Sequence, residues 1–313
     1  MTDPTPAPAP VPGPTAAAVA PPTLRAPLFR RLSPAAFVIL TLIGVFVLYQ
    51  IVAGGILLLL VGGDITTDTV GVVRWSTVIG QLVFLLVPTL LLTQLRYGKI
   101  LEPLRFRRVD PLQLLVVLVG ILALQQVLQG YMMLQESIPV PAAFERILIP
   151  IKQMMESMLR ILLTVHSTGE FLLVLVMVAV VPAVSEEILF RGLVQGDLER
   201  SIGGWKSAVV AGVVFGVYHL NPFNLVPIVV IGIVFGLIVF RSGNILLAMA
   251  AHFLNNAIAV LAVWMGVADD FLFLAPEGAP PASLAAMNTL VCAVVFLALM
   301  WYFIRITRRP VQA

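Results

Sequence analysis

Six residues of this 313-residue chain have side chains fit for chemistry in places where polar groups are costly: Glu186, Glu187, Arg191, His219, His252 and Asn256. Of the acidic residues only Glu186 and Glu187 lie within an apolar run, and of the three histidines His219 and His252 do. An ionisable group in hydrocarbon costs roughly 2.5–3.5 kcal/mol on insertion scales, which makes each a functional candidate by default. A carboxylate beside imidazoles can take a proton from water and return it. The same set can hold a divalent metal such as zinc, with one position left for water, or pass protons along a relay.

Their spacing divides the roles. Adjacent helical residues point about 100° apart, so Glu186 and Glu187 serve different faces. Glu187 and Arg191 are four apart and form an ion pair along the helix, leaving Glu186 aimed elsewhere. Phe215 and His219 share one helical face, as do His252 and Asn256; Asn255 points away and reads as packing. Ser185 lacks a nucleophile-elbow setting. His166 reads as an outer-surface residue, and the lone cysteine, Cys292, allows no internal disulfide and sits in an apolar run.

The elements that must carry these groups are membrane helices. The chain is 60% hydrophobic and 11% charged, too few charges to coat a water-soluble surface. Its mean hydropathy is +1.03. Runs of 18 or more apolar residues suffice to cross about 30 Å of hydrocarbon, and no barrel-like alternation is present. The expected fold is all-α: a polytopic integral membrane protein with about eight transmembrane helices, near 35–62, 75–95, 112–134, 170–190, 207–221, 223–240, 245–266 and 285–304. The run 207–221 is short, so 207–240 reads either as two spans or as a re-entrant pair. Segment 142–165 has helical apolar spacing suited to a helix on the outer surface. Gly212-x-x-x-Gly216 and Gly232-x-x-x-Gly236 allow two backbones to approach closely near His219.

If the N-terminus is cytoplasmic, 15 of the 19 basic residues fall on inner segments, which puts both termini inside. The pI near 9.3 therefore reflects membrane topology, with no nucleic acid implied. Residues 1–33 form a Pro- and Ala-rich, disordered cytoplasmic tail. Residues 34–169 supply N-terminal membrane helices and the amphipathic segment. Residues 170–266 form the core that carries the polar cluster, and 267–313 an outer loop, a last span and a basic end.

Counting about 1.5 Å per helical residue, Glu186 lies roughly 16 Å from Asp197, His219 roughly 20 Å from Lys206 and His252 roughly 16 Å from Arg241. Three helices thus bring their polar groups to similar depth.

The order E-E-x-x-x-R, F-x-x-x-H, H-x-x-x-N, each in a hydrophobic helix, resembles the CPBP family of intramembrane proteases. This group is also called ABI or CAAX-protease-like and includes the type II CAAX prenyl endopeptidases. The resemblance spans about 170–266. It implies that Glu186 is the catalytic acid/base, with His219, His252 and Asn256 in the site. Glu187 and Arg191 match the first motif as a supporting pair. The implied activity is hydrolysis of a peptide bond in a membrane-associated peptide or protein, in a multi-pass protein of the cell membrane.

Two hydrolytic routes fit these residues. In one, Glu186 and His219 activate water while His252 and Asn256 donate to the oxyanion; in the other, Glu186, His219 and His252 bind zinc. His-Glu-x-x-His is absent, so spacing alone does not indicate zinc, and the metal-free route is slightly preferred. The alternatives are a non-enzymatic membrane binding or bacteriocin-immunity protein, which keeps the cluster as a polar network, and a proton-coupled transporter.

Overall fold

The computed structural model describes residues 27–62, 65–139, 141–267 and 282–307. Among these the secondary structure is helical, without strands. The helices, joined across their wider turns, are α1 (Pro34–Val61), α2 (Val70–Tyr97), α3 (Pro111–Glu136), α4 (Ala142–Leu163), α5 (Thr168–Ile202), α6 (Gly204–Tyr218), α7 (Leu225–Ser242), α8 (Ile245–Trp264) and α9 (Ala282–Ile306). Seven of them, all but α4 and α6, are long and apolar enough to cross a membrane. The chain is a multi-pass membrane protein. The expected outer loop with Asp269, Asp270 and Glu277 lies outside the described residues, as do residues 1–26 of the expected tail.

Helix starts are set locally. Ser33, Asp110, Ser167 and Asn244 each accept a backbone N–H of the first turn of α1, α3, α5 and α8, and prolines 34 and 111 follow the first two caps. Residues 27–33, expected to belong to the loose tail, are held instead. Phe29 N donates to Leu95 O at 3.1 Å, and Arg96 donates to Phe29 O and Leu32 O. Arg96 also makes a two-pronged pair with buried Asp197, both contacts 3.0 Å, which locks the ends of α2 and α5 together.

The expected span 207–221 is instead the 15-residue helix α6, about 22 Å long and so shorter than the hydrocarbon layer. It packs along α7 through glycines. A Cβ on Gly212 would stand 2.4 Å from Ile233 N and 2.7 Å from Gly232 C, both backbone atoms. Gly212→Ala should therefore separate the two helices and cost most of the folded yield, measured as monodisperse protein after detergent extraction. A yield equal to the parent chain would show that the close approach is dispensable.

The turn between α6 and α7 has irregular backbone, which at membrane depth must find partners within the protein. It does. Gln50 Nε2 donates to Tyr218 O (3.2 Å), Gln135 Nε2 to Phe223 O (2.9 Å), and Asn221 Oδ1 accepts from Phe223 N and Asn224 N. Leu220 takes a left-handed φ of 52°, an uncommon conformation for a residue with a branched side chain.

Segment 142–165 forms α4, whose last carbonyls are taken by buried Arg74 of α2: its Nε donates to Leu162 O (3.1 Å) and Nη2 to Thr164 O (2.5 Å). Helix α5 is the most buried of the seven long helices and carries Glu186 and Glu187 near its middle.

Candidate active site

Helix α5 is built to leave its regular path beside the two glutamates. Pro182 has no N–H, so the carbonyl four residues before it, Val178 O, loses its helical donor. Asn256 of α8 supplies one: its Nδ2 donates to Val178 O at 2.8 Å. Its Oδ1 accepts from Asn255 Nδ2 at 3.0 Å, and Gln125 Nε2 of α3 donates to Asn255 Oδ1 at 2.8 Å. Asn256 thus bolts α8 to the turn of α5 that precedes Glu186. Among the described residues no hydrogen bond or ion pair joins Asn256 to Glu186, His219 or His252.

This linkage has a thermodynamic signature. Pro182→Ala restores an N–H able to serve Val178 O, so Asn256→Ala should cost clearly less stability in that background than in the parent. A cycle of thermal unfolding on the four proteins reads the difference, expected at about 0.5–3 kcal/mol of coupling. Strict additivity would mean that the two residues do not meet through that carbonyl.

Glu186 meets both histidines. His219 Nε2 lies 3.8 Å and His252 Nε2 3.9 Å from the same oxygen, Glu186 Oε2. These separations exceed a direct hydrogen bond and suit a shared small partner. Oε2 is buried and has no hydrogen-bond partner in the described structure.

The tautomers follow from the other ring nitrogens. His219 Nδ1 lies 2.7 Å from Phe215 O, and a carbonyl can only accept, so Nδ1 carries the hydrogen. His252 Nδ1 lies 2.9 Å from Glu187 Oε1, again an acceptor. With Nδ1–H so engaged, both rings turn Nε2 towards Glu186.

The rings are held by aromatic packing. Phe215 meets His219 edge-on at 4.5 Å, and Phe235 stacks on His252 at 5.3 Å.

Glu187 is fully buried and also binds Arg191 Nη1 at 3.0 Å. Arg191 Nη2 donates to Gly232 O (2.8 Å), and its guanidinium lies 4.5 Å from the centre of the Phe215 ring. The buried pair is thus also the seat of His252, a connection that helical spacing along α5 alone cannot reveal. One further residue reaches the cluster from a helix without a motif: Gln81 of α2 donates from Nε2 to Glu186 Oε1 at 3.4 Å. A neutral amide inside an apolar run is the sequence signal for Gln81.

Residues 168–258 match a family model described as type II CAAX prenyl endopeptidase, Rce1-like. The match supports a CAAX-protease-like intramembrane endopeptidase at family level and is consistent with the CPBP resemblance. The Rce1-like region covers less than a third of the chain, and it contains Glu186, Glu187, Arg191, His219, His252 and Asn256 but not Gln81. No curated protein and no solved structure matches the chain.

The donor set does not fit a metal. Ligand atoms of one tetrahedral zinc, each about 2.0–2.1 Å from the ion, stand about 3.3 Å apart. The Nε2–Oε2 separations are wider, and among the described residues no group of three His, Cys, Asp or Glu side chains is disposed to hold an ion. His166, on the exposed link between α4 and α5, joins the cluster in no described contact.

Proposed function

We propose that the chain is an intramembrane endopeptidase in which Glu186 activates the water that cleaves a peptide bond of a membrane-associated substrate. The observation that carries this reading is the double approach of His219 Nε2 and His252 Nε2 to Glu186 Oε2.

A water held at Oε2 gives up a proton to the carboxylate while its oxygen attacks the scissile carbonyl carbon. His219, with Nδ1–H fixed on Phe215 O, offers Nε2 to orient that water. His252 takes the second face. Its Nδ1–H on the Glu187 carboxylate fixes the ring and stabilises it as an imidazolium, which takes its Nε2 proton from solvent before the water is activated and keeps it through the reaction. That Nε2–H donates to the oxyanion. Glu186 returns its proton to the leaving amine, the C–N bond breaks, and a carboxyl and an amino terminus result. Asn256 acts in this reading by holding α8 in register with α5.

Topology completes the proposal: both termini face the cytoplasm, on the side of the basic residues, and the cut falls inside the cell membrane. Because the matching family is that of the type II CAAX prenyl endopeptidases, the first probe is a farnesylated peptide ending in Cys-aliphatic-aliphatic-X. The chain, purified and reconstituted in liposomes, should release the three C-terminal residues, detected by mass spectrometry, with the rate unchanged by a chelator. Unprenylated and unrelated internally quenched peptides show whether the lipid is read. Failure to cut any of them would dismiss the hydrolytic reading.

A further inference from the structure

The matched region begins well after α2, yet α2 reaches Glu186. Helix α2 turns wide at residues Gln81–Leu86, six residues with π-helical bonding. Pro88 explains where: its ring would collide with Phe84 O in a regular helix and it offers no N–H to that carbonyl. Such wide turns recur at functional sites because they push one side chain out of the helical register. Another wide turn among the described residues, Ile188–Gln195, carries Arg191, the partner of Glu187, and Val176–Val180 carries the carbonyl that Asn256 binds.

Gln81 is buried at 5% exposure, and a buried amide must be bonded at both ends. Its orientation is forced. The Glu186 carboxylate only accepts, so Nε2 faces Oε1 (3.4 Å), and the amide oxygen faces Ser185 Oγ at 3.0 Å. Ser185 is fully buried, its hydroxyl shared with Val181 O one turn back.

We propose that Gln81 is a positioning residue of the active site. It occupies Glu186 Oε1 and thereby leaves Oε2 as the oxygen that faces His219 and His252. Three free side-chain torsions would otherwise let the glutamate turn its oxygens or swing out of the cluster. With Oε1 held, the reactive oxygen stays 3.8 and 3.9 Å from the two imidazoles. The N-terminal half of the chain is then part of the catalytic apparatus, and Ser185 acts as the residue that keeps the amide the right way round.

This inference rests on the hydrolytic reading above, and its test separates the two. Cleavage of the farnesylated peptide is measured in liposomes for the parent chain and for Gln81→Met, Ser185→Ala, their double variant and Glu186→Gln. Gln81→Met keeps the volume and removes both hydrogen bonds. Its kcat should fall about 10- to 100-fold, the usual effect of losing one bond to a charged group, with KM within threefold of the parent. Ser185→Ala should fall less, and the double variant no further than Gln81→Met, because both act through one amide.

A merely structural tie between α2 and α5 would lower the unfolding temperature while leaving kcat per folded molecule unchanged, and that pattern overturns the proposal. Parent-like kcat in Gln81→Met with an inactive Glu186→Gln overturns it too, and leaves the hydrolytic reading standing. Activity retained in Glu186→Gln overturns both.

Discussion

Glu186→Gln should abolish proteolysis while leaving the protein folded. Gln is the same size and keeps its neighbours apart, but its amide cannot take a proton from water. Loss of a positioned general base typically costs 10²–10⁴-fold in kcat. His219→Ala should fall into the same range, since it removes the second atom that faces Oε2, 3.8 Å away. The double variant should be no worse than the more damaged single one, because groups that act as a unit give strongly non-additive losses. Initial rates on the farnesylated peptide, normalised to folded protein, provide the check. Full activity in both single variants is incompatible with the mechanism.

The second large effect is on stability. Arg191 and Glu187 have no exposed side-chain surface, and each is the other's countercharge at 3.0 Å. Taking away one partner of a buried pair leaves an uncompensated charge and typically costs about 3–5 kcal/mol. Glu187→Gln should therefore lower the folded yield and the unfolding temperature sharply. Glu187→Gln with Arg191→Met removes both charges and should recover much of the stability. It should not recover the activity, because His252 Nδ1 no longer meets a carboxylate. Unfolding in detergent followed by tryptophan fluorescence, together with peptide cleavage, separates the two consequences. A Glu187→Gln protein as stable as the parent would mean that the pair does not anchor the core.

These two effects differ in how far they can be read from the sequence. The i, i+4 relation of Glu187 and Arg191 lies within one helix and needs no tertiary knowledge. The nearness of Glu186, His219 and His252 is legible from depth, since counting residues from each basic helix end brings three helices to a common level. The Glu187–His252 bond is not, because it depends on the rotation of α8 about its axis, which apolar residues on most faces leave undetermined. Asn256 shows the same limit. Its spacing from His252 suggests a site residue, whereas its partner is the carbonyl to which Pro182 offers no N–H, a relation visible only by pairing a proline with the residue four before it.

The helices themselves are legible from hydropathy, with one instructive difference. Residues 207–221 are as apolar as a span, but Gly203, at φ 82°, and the Leu220–Asn224 turn trim the helix to 15 residues. Hydropathy measures the solvent around a helix and says little about where it stops. Gln81 is missed for a different reason: a search for charge in apolar runs passes over neutral groups, although a buried amide also needs partners.

The most direct measurement is a single turnover of the reconstituted chain on the farnesylated peptide in H₂¹⁸O. Water activated by Glu186 predicts one ¹⁸O in the new C-terminal carboxylate of the peptide and none in the protein. Label recovered at Glu186 itself, or transport driven by a pH gradient with no bond cleaved, would contradict the account.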